Sequence, residues 1–94
     1  MPDLASLWAI VHGRVQGVLF RAFVERHASL LRLTGYVRNL PGGRALEVKA
    51  EGERVALEEL LRLLHTGPPL AKVERVDFSW AKYSGDFKDF RVRY

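Results

Sequence analysis

Apolar residues crowd and alternate from Leu7 to His12, with β-branched Ile10 and Val11 near the middle, a pattern that predicts a buried strand ending at Gly13. From Phe20 the period changes. Phe20, Val24 and Leu31, with Phe23 and Leu30, recur at spacings of three, four and seven while Arg26 and Arg32 fall on other faces, which predicts an amphipathic helix ending near Leu33 to Gly35. Residues 36–40 and 45–51 are two short strand-like runs around Pro41, Gly42 and Gly43, and they read as an antiparallel hairpin with a loop longer than two residues. Leu57, Leu60, Leu61 and Leu64 then share one helical stripe, and Gly67, Pro68 and Pro69 end it. Val76, Phe78 and Trp80 alternate with Asp77 and Ser79, and Phe90, Val92 and Tyr94 alternate with Arg91 and Arg93. Both runs read as half-buried strands whose aromatic residues belong to the core of a sheet.

The order is strand, helix, strand, strand, helix, strand, with a short last strand. That predicts an α+β fold, the ferredoxin-like split βαβ sandwich (βαββαβ plus a C-terminal strand), with two helices on one face of a mixed, mainly antiparallel sheet. The 94 residues suit a single domain over 1–94. This fold hosts many unrelated activities, so the site must decide the function.

Composition narrows the choice. There are no cysteines, which excludes a disulfide scaffold, a thiolate nucleophile and any sulfur-built zinc site. The N-terminal stretch does not read as a signal peptide, and no window approaches the ~20 apolar residues of a membrane span. A cytoplasmic protein without a membrane partner, monomeric by default, is expected. Fifteen Lys and Arg against 11 acidic residues leave a net charge of +4, which favours an anionic ligand. The histidines, His12, His27 and His65, lie on separate elements with no metal-ligand spacing, so neither a metal nor another cofactor is expected. His12 sits at the end of the first strand and suits a supporting or structural role.

The segment from Gly13 to Arg21 reads GRVQGVLFR: a strand stops at glycine, a second glycine follows, and a helix begins near Phe20 or Arg21. Successive amides at such a junction can turn inward and form an anion nest aided by the helix dipole. The backbone of Val15, Gln16, Gly17, Val18, Leu19 and Phe20 would cradle a phosphoryl group, and the Arg21 guanidinium could grip two of its oxygens. Alternatively, Gly13 and Gly17 only shape a turn and Arg21 is a solvated residue of the first helical turn. The dipole disfavours a cation there, which argues for another purpose.

Asn39, the one asparagine of the chain, closes the segment GYVRN. Asparagine is common in turns for its backbone alone. If the second strand lay beside the first, however, its carboxamide would come near the Gly13 loop, where it could accept from a water and donate to an anion.

GRVQGVLFR, then GYVRN at a helix-length interval, a glycine-containing turn, LEVKAEG, GPPLAKVERV and the closing FRVRY together resemble the acylphosphatase family over nearly the whole chain. The resemblance implies hydrolysis of an acyl phosphate to carboxylate and inorganic phosphate, with Arg21 as the phosphate-binding arginine and Asn39 as the residue that positions water for in-line attack. The hairpin departs from the family pattern. Asp-Gly usually follows the asparagine, with a valine two places beyond the glycine, whereas this chain has Pro41, Gly42, Gly43, Arg44 and Ala45, and its turn is one residue longer. Two other readings of the fold are a phosphate-binding regulatory domain without turnover, like that of the large hydrogenase-maturation proteins, and an RNA-binding module. The latter wants exposed aromatics on the central strands, and residues 45–51 contain none, so no nucleic-acid partner is expected.

Overall fold

A computed structural model describes residues 2–94 as β1 (Leu4–Arg14), α1 (Phe20–Leu30), β2 (Thr34–Asn39), β3 (Ala45–Glu53), α2 (Arg54–Thr66), β4 (Lys72–Lys82) and β5 (Phe90–Arg93). The strands form one sheet in the order β4-β1-β3-β2-β5. All neighbours are antiparallel except β2 and β5, which run parallel. This is the ferredoxin-like α+β arrangement predicted above.

Alternation along the strands sorts the two faces. Leu7, Ala9 and Val11 of β1, Leu46, Val48 and Ala50 of β3, and Val37 of β2 point to one side and are fully buried. Against them lie Val24 and Ala28 of α1 and Leu57, Leu60 and Leu64 of α2. Burying each of those leucines contributes about 1.5–3 kcal/mol relative to exposure. Both β1 and β4 are longer than their apolar cores, because β1 pairs along almost its whole length with β3 on one side and β4 on the other.

Three expectations need correction. Helix α1 ends at Leu30, a turn short of its predicted end. Arg32 adopts a left-handed φ of 59°, and the Leu33 and Arg32 amides donate to the carbonyls of Ala28 and Ser29, the paired bonds of a Schellman stop with arginine where glycine is usual. Phe78 and Tyr94 do not join the core. Phe78 lies on the helix side of edge strand β4, opposite Ala9, and remains 47% exposed, while Trp80 two residues on is covered by the Arg54 guanidinium 3.8 Å from its ring. Tyr94, just past the end of β5, is fully exposed.

The helix-free face of β3 carries two buried carboxylates. Glu47 accepts from the Trp8 indole at 2.7 Å, from Tyr36 and from Arg38. Glu51, 1% exposed, accepts from the amides of Ser84 and Gly85 at 3.0 Å each and from the Ser84 hydroxyl, tying the β4–β5 connection to the central sheet. Burial pushes the Glu51 carboxyl up, but the donors from Ser84 and Gly85 outweigh it and hold it below its ordinary 4.5. A carboxyl lowered by folding contributes stability that is complete above its unfolded value and is lost as pH falls through its folded one. Glu51→Gln should therefore cost about 2–3 kcal/mol in urea unfolding at pH 7. The gap from the parent should narrow as pH falls through about 4.5 toward 3; an equal loss at both ends of that range would contradict the assignment.

Candidate active site

Strand β1 ends in an irregularity between His12 and Gly13, where its register against β4 shifts. Gly13 has φ 132° and donates its amide to the Arg44 carbonyl at 2.9 Å, and a Cβ there would stand 2.2 Å from the Lys72 carbonyl oxygen. Only glycine fits. The chain then turns through Gly17 (φ 71°) and Leu19 (φ 63°), two left-handed residues on either side of Val18, before α1 begins at Phe20. Alternating backbone hand of this kind aims successive amides at one point. None of the N–H groups of Gln16, Gly17, Val18, Leu19 and Phe20 donates to a backbone carbonyl among the described residues. Leu19 offers no side-chain cap, and no acidic residue lies in the first turn. The left-handed angle costs a leucine about 1–2 kcal/mol. With its side chain 78% exposed, little packing offsets that cost.

A cleft of about 370 Å³ opens over this junction, and Val15, Gly17, Phe20, Arg21, Asn39 and Tyr94 help line it. Arg21, second residue of α1, stacks its guanidinium 4.7 Å from the centre of the Tyr94 ring. Arg38, Arg44, Arg54, Arg62, Arg75 and Arg91 are each ion-paired with a carboxylate, whereas Arg21 forms no such pair among the described residues. Asn39 is the last residue of β2, and its Oδ1 is buried without a hydrogen-bond partner. An unpaired buried acceptor costs about 1–3 kcal/mol and asks for an explanation. The cleft thus combines open backbone donors, an uncommitted guanidinium and a carboxamide oxygen ready to accept, which suits an anion with a water beside it.

The expectation that the first two strands adjoin is corrected: β3 lies between β1 and β2. Asn39 reaches the cleft nevertheless, because His12↔Ala45 and Asn39↔Leu46 are pairs at the same end of the sheet. Of the predicted loop, Val15, Gly17, Leu19 and Phe20 line the cleft beside Arg21 and Asn39. Val18 instead packs into the core, 6% exposed, and the Gln16 side chain donates to the carbonyls of Leu40 and Ala45 at 2.8 Å each. Sequence reasoning missed Glu25, Val92 and Tyr94 on the cleft wall. The one-turn spacing from Arg21 to Glu25 and the shared face of Val92 and Tyr94 carried the signal. His12 projects from the helix-free face, 2.9 Å from the Asp77 carboxylate and beside Arg75, while the His65 imidazole bonds the Leu61 carbonyl at the surface. His27 packs edge-on against Phe23. No three His, Cys, Asp or Glu side chains among the described residues converge as metal ligands would.

The family model for acylphosphatases matches residues 7–92. An acylphosphatase of Dehalococcoides mccartyi is 47% identical over 88 residues, covering 94% of this chain and 97% of that protein. Among solved structures, an acylphosphatase from Coxiella burnetii superposes with a TM-score of 0.90 at 40% identity, covering 97% of this chain and 94% of that one. The acylphosphatase from Bacillus subtilis gives a TM-score of 0.90 at 35% identity, with coverages of 98% and 100%.

The two loop glycines serve different needs, and alanine separates them. At Gly17 an added Cβ meets nothing within 4 Å, so Gly17→Ala should cost only the backbone term, about 1 kcal/mol in urea unfolding. Gly13→Ala drives a methyl into the backbone of β4 and should cost about 3 kcal/mol or more. Equal losses at the two positions would contradict this account of the junction.

Proposed function

The chain belongs to the acylphosphatase family, and on that footing we propose that the amides of the β1–α1 loop and the Arg21 guanidinium bind the phosphoryl group of an acyl phosphate while Asn39 holds the attacking water. The reaction is hydrolysis of a carboxyl–phosphate anhydride to carboxylate and inorganic phosphate. The leaving carboxylate has a conjugate acid with a pKa of about 4, so it departs at neutral pH without a proton donor. Charge on the equatorial phosphoryl oxygens is what must be met, and positioning supplies most of the remainder. The reading is supported by the amides of Gln16 to Phe20, which donate to no backbone carbonyl among the described residues, and by Arg21, which lines the same cleft. Its contact with the exposed Tyr94 ring is worth about 0.5–1 kcal/mol, little enough to be exchanged for a bidentate grip on phosphate.

The single observation that carries the reading is the Asn39 carboxamide on the cleft wall, its oxygen buried and without a hydrogen-bond partner. Such an oxygen accepts one hydrogen of a water and directs the lone pair toward phosphorus in line with the scissile P–O bond. The water's proton passes to a phosphate oxygen, so no histidine or carboxylate base is required.

We further read residues 1–94 as one catalytic domain, acting as a monomer in the cytoplasm and without a nucleic-acid partner. Strand β3, at the centre of the sheet, carries no aromatic residue on which a base could stack. A metal-free scheme also predicts that dialysis against a chelator leaves activity intact.

Benzoyl phosphate hydrolysis by purified protein tests the roles. Arg21→Ala should abolish turnover and inhibition by inorganic phosphate together. Asn39→Ala should keep phosphate inhibition and lose turnover by about 100-fold or more. Parent-like phosphate affinity in the first variant, or parent-like turnover in the second, would remove that residue from its role.

A further inference from the structure

The anion loop and the hairpin that carries Asn39 come from distant parts of the chain, and past the β1–β3 ladder few hydrogen bonds join them among the described residues. One is the backbone bond from the Gly13 amide to the Arg44 carbonyl. The others belong to a single side chain. Gln16 donates both hydrogens of its amide nitrogen, one to the Leu40 carbonyl and one to the Ala45 carbonyl, at 2.8 Å each. Leu40 directly follows Asn39, and its own amide donates to that same Ala45 carbonyl at 3.0 Å. The carboxamide therefore bridges the two ends of the hairpin turn from the side of the phosphate loop.

Apart from that bridge, the turn is tied by the Gly13 bond to Arg44 and by the exposed Arg44–Glu74 ion pair at its far end. Residues 41–44 are exposed, and Gly42 and Gly43 stand at positive φ, where an added Cβ would meet nothing within 4 Å. Two donors on one nitrogen are what two neighbouring carbonyls need. Glutamate has no donor when ionised, and asparagine is one methylene shorter. In-line attack tolerates misplacement of only about 0.5 Å.

We propose that Gln16 is a positioning residue: its side-chain amide fixes the Asn39 end of β2 against the anion loop, so that it governs turnover rather than phosphate binding. The proposal rests on the reading of Asn39 given above. Loss of the bridge leaves the loop amides and Arg21 where they are and frees the carboxamide to drift from the line of attack.

The test is a cycle of four proteins, the parent, Gln16→Met, Asn39→Ala and the double variant, assayed on benzoyl phosphate with inorganic phosphate as competitive inhibitor. Methionine keeps the length of the side chain and removes the donors. Gln16→Ala is the companion, and carries the test should the methionine variant fail to fold in a urea melt. Gln16→Met should lower kcat about tenfold, with the phosphate inhibition constant within about twofold of the parent. In the Asn39→Ala background the same change should cost less than about twofold, because residues acting as a unit are not additive. A purely structural role would lower phosphate affinity and kcat together, or cost the same in both backgrounds, and either result overturns the proposal, as does parent-like kcat in the variants. Parent-like turnover in Asn39→Ala alone would instead overturn the reading of Asn39.

Discussion

Every backbone N–H seeks an acceptor, and this molecule leaves a run of them open where β1 gives way to α1. Keeping those amides open is costly in two ways. They forgo pairing, and the chain must pass through left-handed angles at Gly17 and at an exposed leucine to aim them. The rest of the fold holds that junction in place. Val15 and Val18 are sunk into the core on either side of it, Gly13 locks the end of β1 between β4 and the hairpin, and the buried stripes of both helices keep the sheet beneath it rigid. Strain maintained by its surroundings is the usual condition of a binding site.

The sheet order supplies the second half of the site. With β3 between β1 and β2, Asn39 is two strands away from the loop whose cleft it lines, and the turn after β2 leads into the start of β3. The Gln16 carboxamide and the Gly13 amide bind that turn at its base. The exposed tip of the turn lies beyond that base, and a Cβ added at Gly42 or Gly43 would meet only open space.

Much of the fold was legible because its elements bury their apolar residues mainly on one face. Alternation in β1 and β3 and the leucine stripe of α2 follow directly from the core they share. Where burial was incomplete the pattern misled. Phe78 alternates like a core residue but sits on an edge strand beyond the helix layer, and Tyr94 does so just past the last strand. The helix stop at Arg32 was invisible because arginine there accepts an angle that the sequence signals only through glycine. At the site, the loop, Arg21 and Asn39, which line one cleft, were singled out from residue type and spacing, and the roles proposed for them from the family resemblance. The Gln16 bridge and the contact between Arg21 and Tyr94 were not, since each joins segments whose proximity only the folded sheet creates.

The central claim is geometric: one tetrahedral anion is held by the loop and Arg21 while Asn39 addresses it from the position of the attacking oxygen. A crystal structure with orthovanadate, whose five-coordinate form mimics the transition state, tests it most directly. The account predicts equatorial oxygens within hydrogen-bond reach of the Gln16 to Phe20 amides and of the Arg21 guanidinium, and an apical oxygen bonded to the Asn39 carboxamide. Vanadate bound outside this cleft, or bound within it with Asn39 turned away from the apical oxygen, would contradict it.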